Sequence, residues 1–251
     1  MQKHIPTIKE KKMGFDELKY NARRALSGNW LIAIIAAIIA GLLGASVLNN
    51  ATTNYDYSYE DFEESEDVEN DIISMIPDEA LVFIGAVVTV FAITGLIYAI
   101  IMFTIGSVVS IGYCRFNMDL IDGIRPSIGT LFSAFGQIKT AIAVRLLTGV
   151  LVGIGYIFLI VPGIILSYSY SMATFIMADN PYLTTTEVLR ESRLLMKGNK
   201  LRLFCLHLSF IGYILLCILT FGIGFIWLTP YMNATYAAFY RQIKQNANIV
   251  V

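Results

Sequence analysis

Ionisable and amide side chains are scarce in the long apolar runs of this 251-residue chain, so the few that occur there are the candidates for chemistry. Arg145 begins one apolar run, His207 lies within LFCLHLSF and Asn233 within LTPYMNATY. Polar groups inside membrane spans mark functional sites by default. These three residues therefore define a speculative intramembrane polar site, in which Arg145 requires an acidic partner such as Asp119 or Asp179. Structural roles are the favoured alternative: snorkelling for Arg145, interfacial or helix–helix hydrogen bonding for His207 and packing for Asn233.

No catalytic or metal-binding motif accompanies these residues in the sequence. Cys114, Cys205 and Cys217 lie in or beside apolar runs and form no CxxC pair, so we expect buried free thiols. The sequence lacks a phosphate-binding glycine loop, GxSxG, HExxH and the spacing of a calcium loop. We therefore expect no enzyme activity, no catalytic residue, no metal and no cofactor.

The composition indicates the class of protein. Apolar residues make up 56% of the chain and charged residues 15%, against about 45–50% and about 25% in soluble proteins. The mean hydropathy is +0.65, and the net charge of −1 lacks the basic excess of a nucleic-acid-binding protein. The sequence therefore predicts an all-α, polytopic transmembrane helical bundle that forms a single membrane domain, residues 1–251, with no nucleic-acid partner.

The distribution of basic residues predicts how the chain crosses the membrane. All 18 Lys and Arg residues lie in four segments, whereas the segment 49–79 contains eleven acidic residues and no basic one. Because basic segments remain in the cytoplasm, both termini are expected inside and the acidic loop outside. About six spans, paired as three hairpins, satisfy this arrangement.

The apolar runs give the predicted boundaries. Span 1 covers residues 30–48 and a long span 2 covers residues 80–114, on either side of the external loop 49–79. The remaining segments are a cytoplasmic arm with an amphipathic helix (1–29), a cytoplasmic segment (115–139), a broken hairpin (140–178), a cytoplasmic helix (179–202), a second broken hairpin (203–240) and a cytoplasmic tail (241–251).

Helix-breaking residues interrupt both of the long C-terminal runs. Proline removes a backbone donor and glycine relaxes the backbone, so either can kink a helix or reverse it. The topology requires each run to reverse, either as a full hairpin or as a re-entrant segment. The predicted hinges are Pro162 and Gly163 in the first run, Gly222 and Gly224 in the second, and Pro230 in the last helix.

Two cytoplasmic segments resemble each other, and both lead into apolar helices. ARRALSGN (22–29) and SRLLMKGN (192–199) share a small residue, an arginine and a Gly-Asn ending. Glycine suits the left-handed position that ends a helix, so Gly28 and Gly198 are predicted helix ends. A third amphipathic candidate is PSIGTLFSAFGQIK, before the third span. Such helices bind anionic lipid headgroups or simply position the next span, and positioning is favoured.

The start of each amphipathic helix has its own signal. Thr184 and Glu187 have the spacing of a capping box, in which hydroxyl and carboxylate satisfy free backbone N–H groups. Asp16 is the predicted N-cap of the first helix. Both signals predict helices that begin within the cytoplasmic segments.

Further motifs resemble those of a known family. They are GNW near the start, YCRF after the second span, VPGIIL, ADNP, SRLLMKGNKLRLFCLHLSFIG and LTPYMNATYAAFYR. They resemble a bacterial family of integral membrane proteins, domain of unknown function 975, over nearly the whole chain apart from the acidic loop. The chain departs from the family pattern at Lys200 and Tyr213, where tryptophan is expected. The resemblance implies several spans in the bacterial cytoplasmic membrane and supplies no catalytic residue.

The sequence therefore favours a non-enzymatic accessory or scaffold protein of the cytoplasmic membrane. Its expected partners are the lipid bilayer, through anionic headgroups at the basic helices, and unidentified membrane proteins. The alternative is a small transporter, flippase or immunity-type exporter factor, which requires a polar site between the broken helices. A membrane enzyme is the least supported class, because no nucleophile–base pair is evident.

Overall fold

The computed structural model describes residues 14–45, 78–125 and 127–249, and this part of the chain is helical with no β-strand. The α-helices are α1 (Phe15–Leu26), α2 (Trp30–Leu42), α3 (Asp78–Ile121), α4 (Ile138–Phe158), α5 (Ile160–Tyr170), α6 (Ala173–Asp179), α7 (Thr185–Leu195), α8 (Lys200–Leu208), α9 (Ile211–Leu219) and α10 (Phe225–Ile249). Two short 3-10 helices, Ile128–Phe132 and Phe135–Gln137, precede α4. The all-α class is confirmed. Of the predicted acidic loop, 49–79, residues 49–77 lie outside the described residues.

Several helical segments are long and apolar enough to cross a membrane. Four meet this criterion by themselves, and the pair α1–α2, bent by 100°, raises the number to five. The four are Val82–Ile121, Ile128–Phe158, Ile160–Asp179 and Lys200–Leu219. The described residues thus contain four to five candidate spans, fewer than the six expected from the sequence.

Of the six expected spans, α10 is the one that does not meet this criterion. Its packing environment explains why. Residues 231–240 of α10 are all buried, and the helix packs against α1, α2 and α9. Polar residues of membrane helices face other helices rather than lipid, so a helix surrounded by other helices can carry them. Ala234, Ala237 and Ala238 are buried on it, and such small residues allow neighbouring helices to approach closely.

The chain forms two compact units, Ala51–Phe103 on the one hand and Met1–Asn50 with Thr104–Val251 on the other. In the described part of the first, residues 82–101 of α3 are all exposed, and nearly all of them are apolar. Such a surface is what a lipid-facing segment presents. The helix α3 continues to Ile121, beyond the predicted end of span 2 at residue 114.

The two similar cytoplasmic segments share one local structure. α1 and α7 are each followed by a glycine with left-handed backbone, with φ of 84° at Gly28 and 81° at Gly198. The next residue is an asparagine whose side-chain amide donates to the carbonyl four residues earlier, at 3.5 Å for Asn29 and 3.0 Å for Asn199. The predicted helix ends at these glycines are confirmed.

The starts of these two helices differ. Thr184 and Glu187 form the predicted capping box, in which the Thr184 backbone N–H donates to Glu187 Oε2 at 2.8 Å. The hydrogen bonds from Thr184 hold the pKa of the Glu187 carboxyl below its usual range. The predicted cap at Asp16 is wrong, because Gly14 occupies the N-cap of α1 and Asp16 lies in the first turn. There its charge still favours the positive end of the helix dipole.

The first C-terminal run reverses at a single residue. Leu159 separates α4 from α5, and its backbone is extended. Pro162 and Gly163 lie in the first turn of α5, so the reversal precedes the predicted hinge by three residues. A proline is tolerated in a first turn because its missing N–H would have no partner within the helix there.

The second C-terminal run reverses through a longer turn. Residues 220–224 connect α9 to α10, with left-handed backbone at Phe221 (φ 52°) and Gly222 (φ 84°). Gly224 lies against Cys217, because a Cβ at position 224 would fall 2.6 Å from its Sγ. The turn between α9 and α10 therefore lies at the predicted hinge residues, Gly222 and Gly224.

Candidate functional site

A groove of about 350 Å³ lies between the α1–α2 bend and the α9–α10 hairpin. Most of its wall is apolar, and both tryptophans of the chain contribute to it. Among its lining residues are Arg23, Trp30, Tyr213, Leu216, Trp227 and Tyr231. The groove thus combines one cation and two phenol hydroxyls with an apolar wall.

Arg23 is held by the two tyrosines of this groove. Its Nε donates to the Tyr231 hydroxyl at 3.2 Å, and its Nη2 donates to the Tyr213 hydroxyl at 3.4 Å. The guanidinium carbon also lies 5.3 Å from the centre of the Tyr231 ring, within the range of a cation–π interaction. These contacts orient the guanidinium although its side chain is exposed.

Lys19, one turn earlier on α1, fastens the amphipathic helix to the junction of α8 and α9. Its Nζ donates to the Ser209 carbonyl at 3.1 Å and lies 4.7 Å from the centre of the Phe210 ring. Phe210 is fully buried. The two basic residues together attach α1 to the α9–α10 hairpin.

Arg145, the first of the three predicted polar residues, joins α4 to α3. Its Nη1 donates to the Ser107 hydroxyl at 3.3 Å. A Cβ placed on Gly106 would lie 2.6 Å from the Gly44 carbonyl carbon and 3.2 Å from this nitrogen, so the glycine makes room mainly for the backbone of Gly44. Asp179, one acidic partner expected for Arg145, forms its ion pairs with Arg241 and Lys244 instead.

His207 lies at the meeting point of α5, α8 and α10. Its Nδ1 is 3.1 Å from the Tyr168 hydroxyl, and its ring centre is 5.0 Å from that of Tyr236 in an edge-on arrangement. The side chain is half-buried. These contacts make His207 part of an aromatic cluster that joins three helices.

Asn233 lies one turn after Pro230, which is inside α10. Its amide donates to the Thr229 carbonyl at 2.8 Å, and Asn117 donates in the same way to the Tyr113 carbonyl at 2.8 Å. The Oδ1 atoms of both asparagines and the Tyr113 hydroxyl are buried and make no hydrogen bond within the described residues. Arg145, His207 and Asn233 therefore have separate partners.

A charged cluster joins the ends of three helices in the same unit. Arg241 on α10 pairs with Asp122, Nη2 to Oδ2 at 2.5 Å, and with Asp179 at the end of α6, Nη1 to Oδ1 at 3.0 Å. Lys244 also pairs with Asp179, which accepts a 3.0 Å hydrogen bond from the Tyr240 hydroxyl. Burial lowers the pKa of Arg241, but the bonds to both carboxylates outweigh it and raise that pKa above its usual range.

The cysteines lie apart from one another. Cys114 and Cys217 are buried, as expected, whereas Cys205 is exposed. Cys205 belongs to the segment Lys200–Leu219, which is long and apolar enough to cross a membrane. Within the described residues, no group of three or more His, Cys, Asp or Glu side chains has the arrangement of a metal site.

Comparison with known proteins places the chain in a family. Residues 67–247 match DUF975, a family of proteins of unknown function. The chain belongs to this family. No curated protein and no solved structure matches the chain. This DUF975 protein therefore has several candidate membrane-spanning helices, and the match leaves its activity open.

The residues that match DUF975 include only part of the groove lining. Tyr213, Trp227 and Tyr231 lie within the matched residues, whereas Arg23 and Trp30 precede them. No sequence pattern joins these residues, because 190 positions separate Arg23 from Tyr213 and 208 positions separate it from Tyr231. A basic residue on the amphipathic helix and tyrosines near the broken hairpin were the only local signals. The charged cluster of Arg241 was missed for the same reason.

Proposed function

We propose that this chain is a non-enzymatic accessory or scaffold protein of the bacterial cytoplasmic membrane. The observation that supports the proposal is that polar side chains of the bundle connect helix to helix. Arg115 on α3 donates to the Ala178 carbonyl at 2.8 and 3.1 Å, and Arg202 on α8 donates to Gln242 on α10 at 3.0 Å. Polar groups that satisfy one another stabilise a rigid bundle.

Two grooves lined by described residues bear on the transporter alternative. A transporter needs a polar site at the middle of the membrane, open to water on alternate sides. Neither the groove at Arg23 nor a second groove of about 470 Å³, which Arg24 and Asp122 help to line, includes Arg145, His207 or Asn233.

The proposed topology has both termini inside and three hairpins, of which the α9–α10 hairpin is re-entrant. Lys19 holds α1 against Ser209, and an amphipathic helix such as α1 belongs at the lipid–water interface. In this arrangement the first half of the candidate span Lys200–Leu219, α8, stays at the interface. The nine residues of α9 then extend about 13.5 Å into the membrane, less than half of a hydrocarbon core of about 30 Å. A segment that enters and returns on the same side keeps the C-terminus inside.

Cysteine accessibility tests this proposal. In a variant without Cys114, Cys205 and Cys217, single cysteines at His207 and Asn233 are exposed to a water-soluble thiol reagent in intact cells and in inverted vesicles. We expect no labelling of either position from either side until the protein is denatured. Labelling of either position in the native membrane would overturn the scaffold and favour the transporter.

Two further positions serve as matched controls for sidedness. A cysteine at Ser65, in the acidic loop, is expected to react in intact cells, and one at the exposed Arg190 on α7 only in inverted vesicles. Ser192 is unsuitable, because it is fully buried and donates to the Ser169 carbonyl at 3.0 Å. Labelling of Arg190→Cys in intact cells contradicts the proposed topology.

A further inference from the structure

Arg23 is an exposed cation in the groove wall and forms no ion pair with a carboxylate among the described residues. The ion pairs within the described residues are formed by Asp122, Asp179, Arg241 and Lys244. Arg23 contacts two neutral hydroxyls instead. Because a guanidinium has five N–H donors in a fixed fork that matches phosphate, donors remain for an anionic group beside the tyrosines.

The rest of the groove offers almost nothing polar. The Thr220 hydroxyl, which also lines it, is engaged within the turn, donating to the Cys217 carbonyl at 2.9 Å and accepting from the Gly224 N–H at 3.3 Å. The remaining wall consists of Leu216, Leu228, Cys217, Gly224 and the two tryptophans. A ligand that fits this surface has an anionic head and an apolar tail.

The flanks of the groove indicate where such a ligand comes from. Leu219 and Phe221, beside it on the same hairpin, are 78% and 98% exposed, as expected for side chains in contact with lipid. Tryptophan and tyrosine prefer the lipid–water interface. A volume of about 350 Å³ is at the lower end of small-molecule sites, which suits one acyl chain.

We propose that this groove binds one anionic phospholipid of the surrounding bilayer, with its phosphate at Arg23 and one acyl chain along Leu216 and Leu228. This inference rests on the proposed membrane location. It goes beyond the general attraction of basic helices for anionic headgroups, because it assigns one lipid to one specific site. The bound lipid would bridge α1 and the α9–α10 hairpin.

Tryptophan fluorescence tests the proposal directly, since both tryptophans of the chain line the groove. The full chain is reconstituted in phosphatidylcholine nanodiscs and titrated with phosphatidylglycerol that carries a brominated acyl chain, which quenches tryptophan on contact. Brominated phosphatidylcholine serves as the parallel titrant. We expect phosphatidylglycerol to reach half-maximal quenching at about fivefold lower mole fraction, because one basic residue near an anionic lipid contributes about 1 kcal/mol.

Adjacent arginines on α1 provide a matched pair of variants. Arg23→Gln removes the charge but keeps hydrogen-bonding groups for Tyr213 and Tyr231, and we expect it to abolish the fivefold preference. Arg24→Gln removes the same charge from the next exposed position, which lines the other groove, and we expect it to retain the preference within about twofold. Unchanged thermal unfolding of both variants shows that they fold.

Three outcomes would overturn the proposal. They are equal quenching by the two lipids in the unsubstituted chain, an equal loss in both variants, and an unchanged preference in Arg23→Gln. An equal loss identifies general attraction between the basic helix and the anionic surface. Thiol labelling of His207→Cys or Asn233→Cys, by contrast, contradicts the scaffold and leaves the lipid preference unaffected, so the two proposals fail separately.

Discussion

The α4–α5 and α9–α10 hairpins are built in different ways. In α4–α5 the reversal uses Leu159 alone, and glycines face each other closely, since a Cβ on Gly155 would lie 3.0 Å from the Gly163 Cα. In α9–α10 a longer turn, residues 220–224, connects the helices. Aromatic side chains stand beside this second hairpin, and a groove remains next to it.

Both hairpins come from one sequence pattern, an apolar run that is broken by Pro or Gly, yet the two differ in how closely their helices pack. Glycine against glycine lets two helices approach closely, and neither of the two grooves, at Arg23 and at Arg24, is lined by α4 or α5. The second hairpin uses glycine to form the turn and bulky residues such as Tyr213 and Trp227 along its sides. The first is a structural element, and the second presents a surface.

The largest expected effect comes from separating the helices of the tight hairpin. In Gly163→Ala the new Cβ would lie 2.6 Å from Tyr156 Cγ, so ring and helix must shift. We expect the free energy of unfolding in detergent to fall by about 1–3 kcal/mol, as in overpacked cores. Gly149→Ala on α4 is the control, because nothing lies within 4 Å of its new Cβ. Equal stability of the two variants would contradict the close contact.

A smaller effect is expected at the turn of the open hairpin. Gly222 has a φ of 84°, and alanine pays a steric penalty in this left-handed region. We expect Gly222→Ala to lower the free energy of unfolding by about 1 kcal/mol. Gly212→Ala, in α9 and with open space around it, should be neutral or slightly stabilising. If Gly222→Ala is as stable as Gly212→Ala, the left-handed turn is wrong.

The smallest effect is expected in α7, which connects the two hairpins. Glu187 has a pKa below its usual range because it accepts the Thr184 hydrogen bonds. Since the folded pKa lies below the unfolded one, about 4.3, the stabilisation is complete above that pH and disappears as the pH falls through the folded value. We expect Glu187→Gln to lower the melting temperature slightly at pH 7, and we expect this difference to shrink as the pH falls below about 4.3.

Glu191→Gln, exposed on the same helix, is the control for this last comparison. Its melting temperature should stay close to that of the unsubstituted chain at both pH values. If the difference in melting temperature between Glu187→Gln and the unsubstituted chain stays constant with pH, the carboxylate does not act through the capping box.

Local features were predictable because their causes lie within a few residues. The helix ends at Gly28 and Gly198 follow from the Gly-Asn pairs, and the capping box follows from the spacing of Thr184 and Glu187. The prediction failed at Asp16, because Gly14, two residues earlier, is the N-cap. A cap depends on where the helix begins, and packing of the helix decides that.

The first reversal shows another limit of local reasoning. Proline marked the hinge in the sequence, yet a proline fits the first turn of a helix, and the turn occurs at Leu159. Leu159 carries no sequence signal for a turn. Contact between Gly155 and Gly163 selects the position, because only that alignment lets the two glycines meet.

The sequence by itself determined that this is an all-α chain with several apolar helices, amphipathic helices between them and a membrane family resemblance. Composition and short-range periodicity are sufficient for those properties. The tertiary structure alone decided that Arg23 meets Tyr213 and Tyr231, that Arg241 joins Asp122 to Asp179, and that Arg145, His207 and Asn233 have separate partners. Such contacts join residues far apart in the chain, and they depend on how helices pack, which no local pattern records.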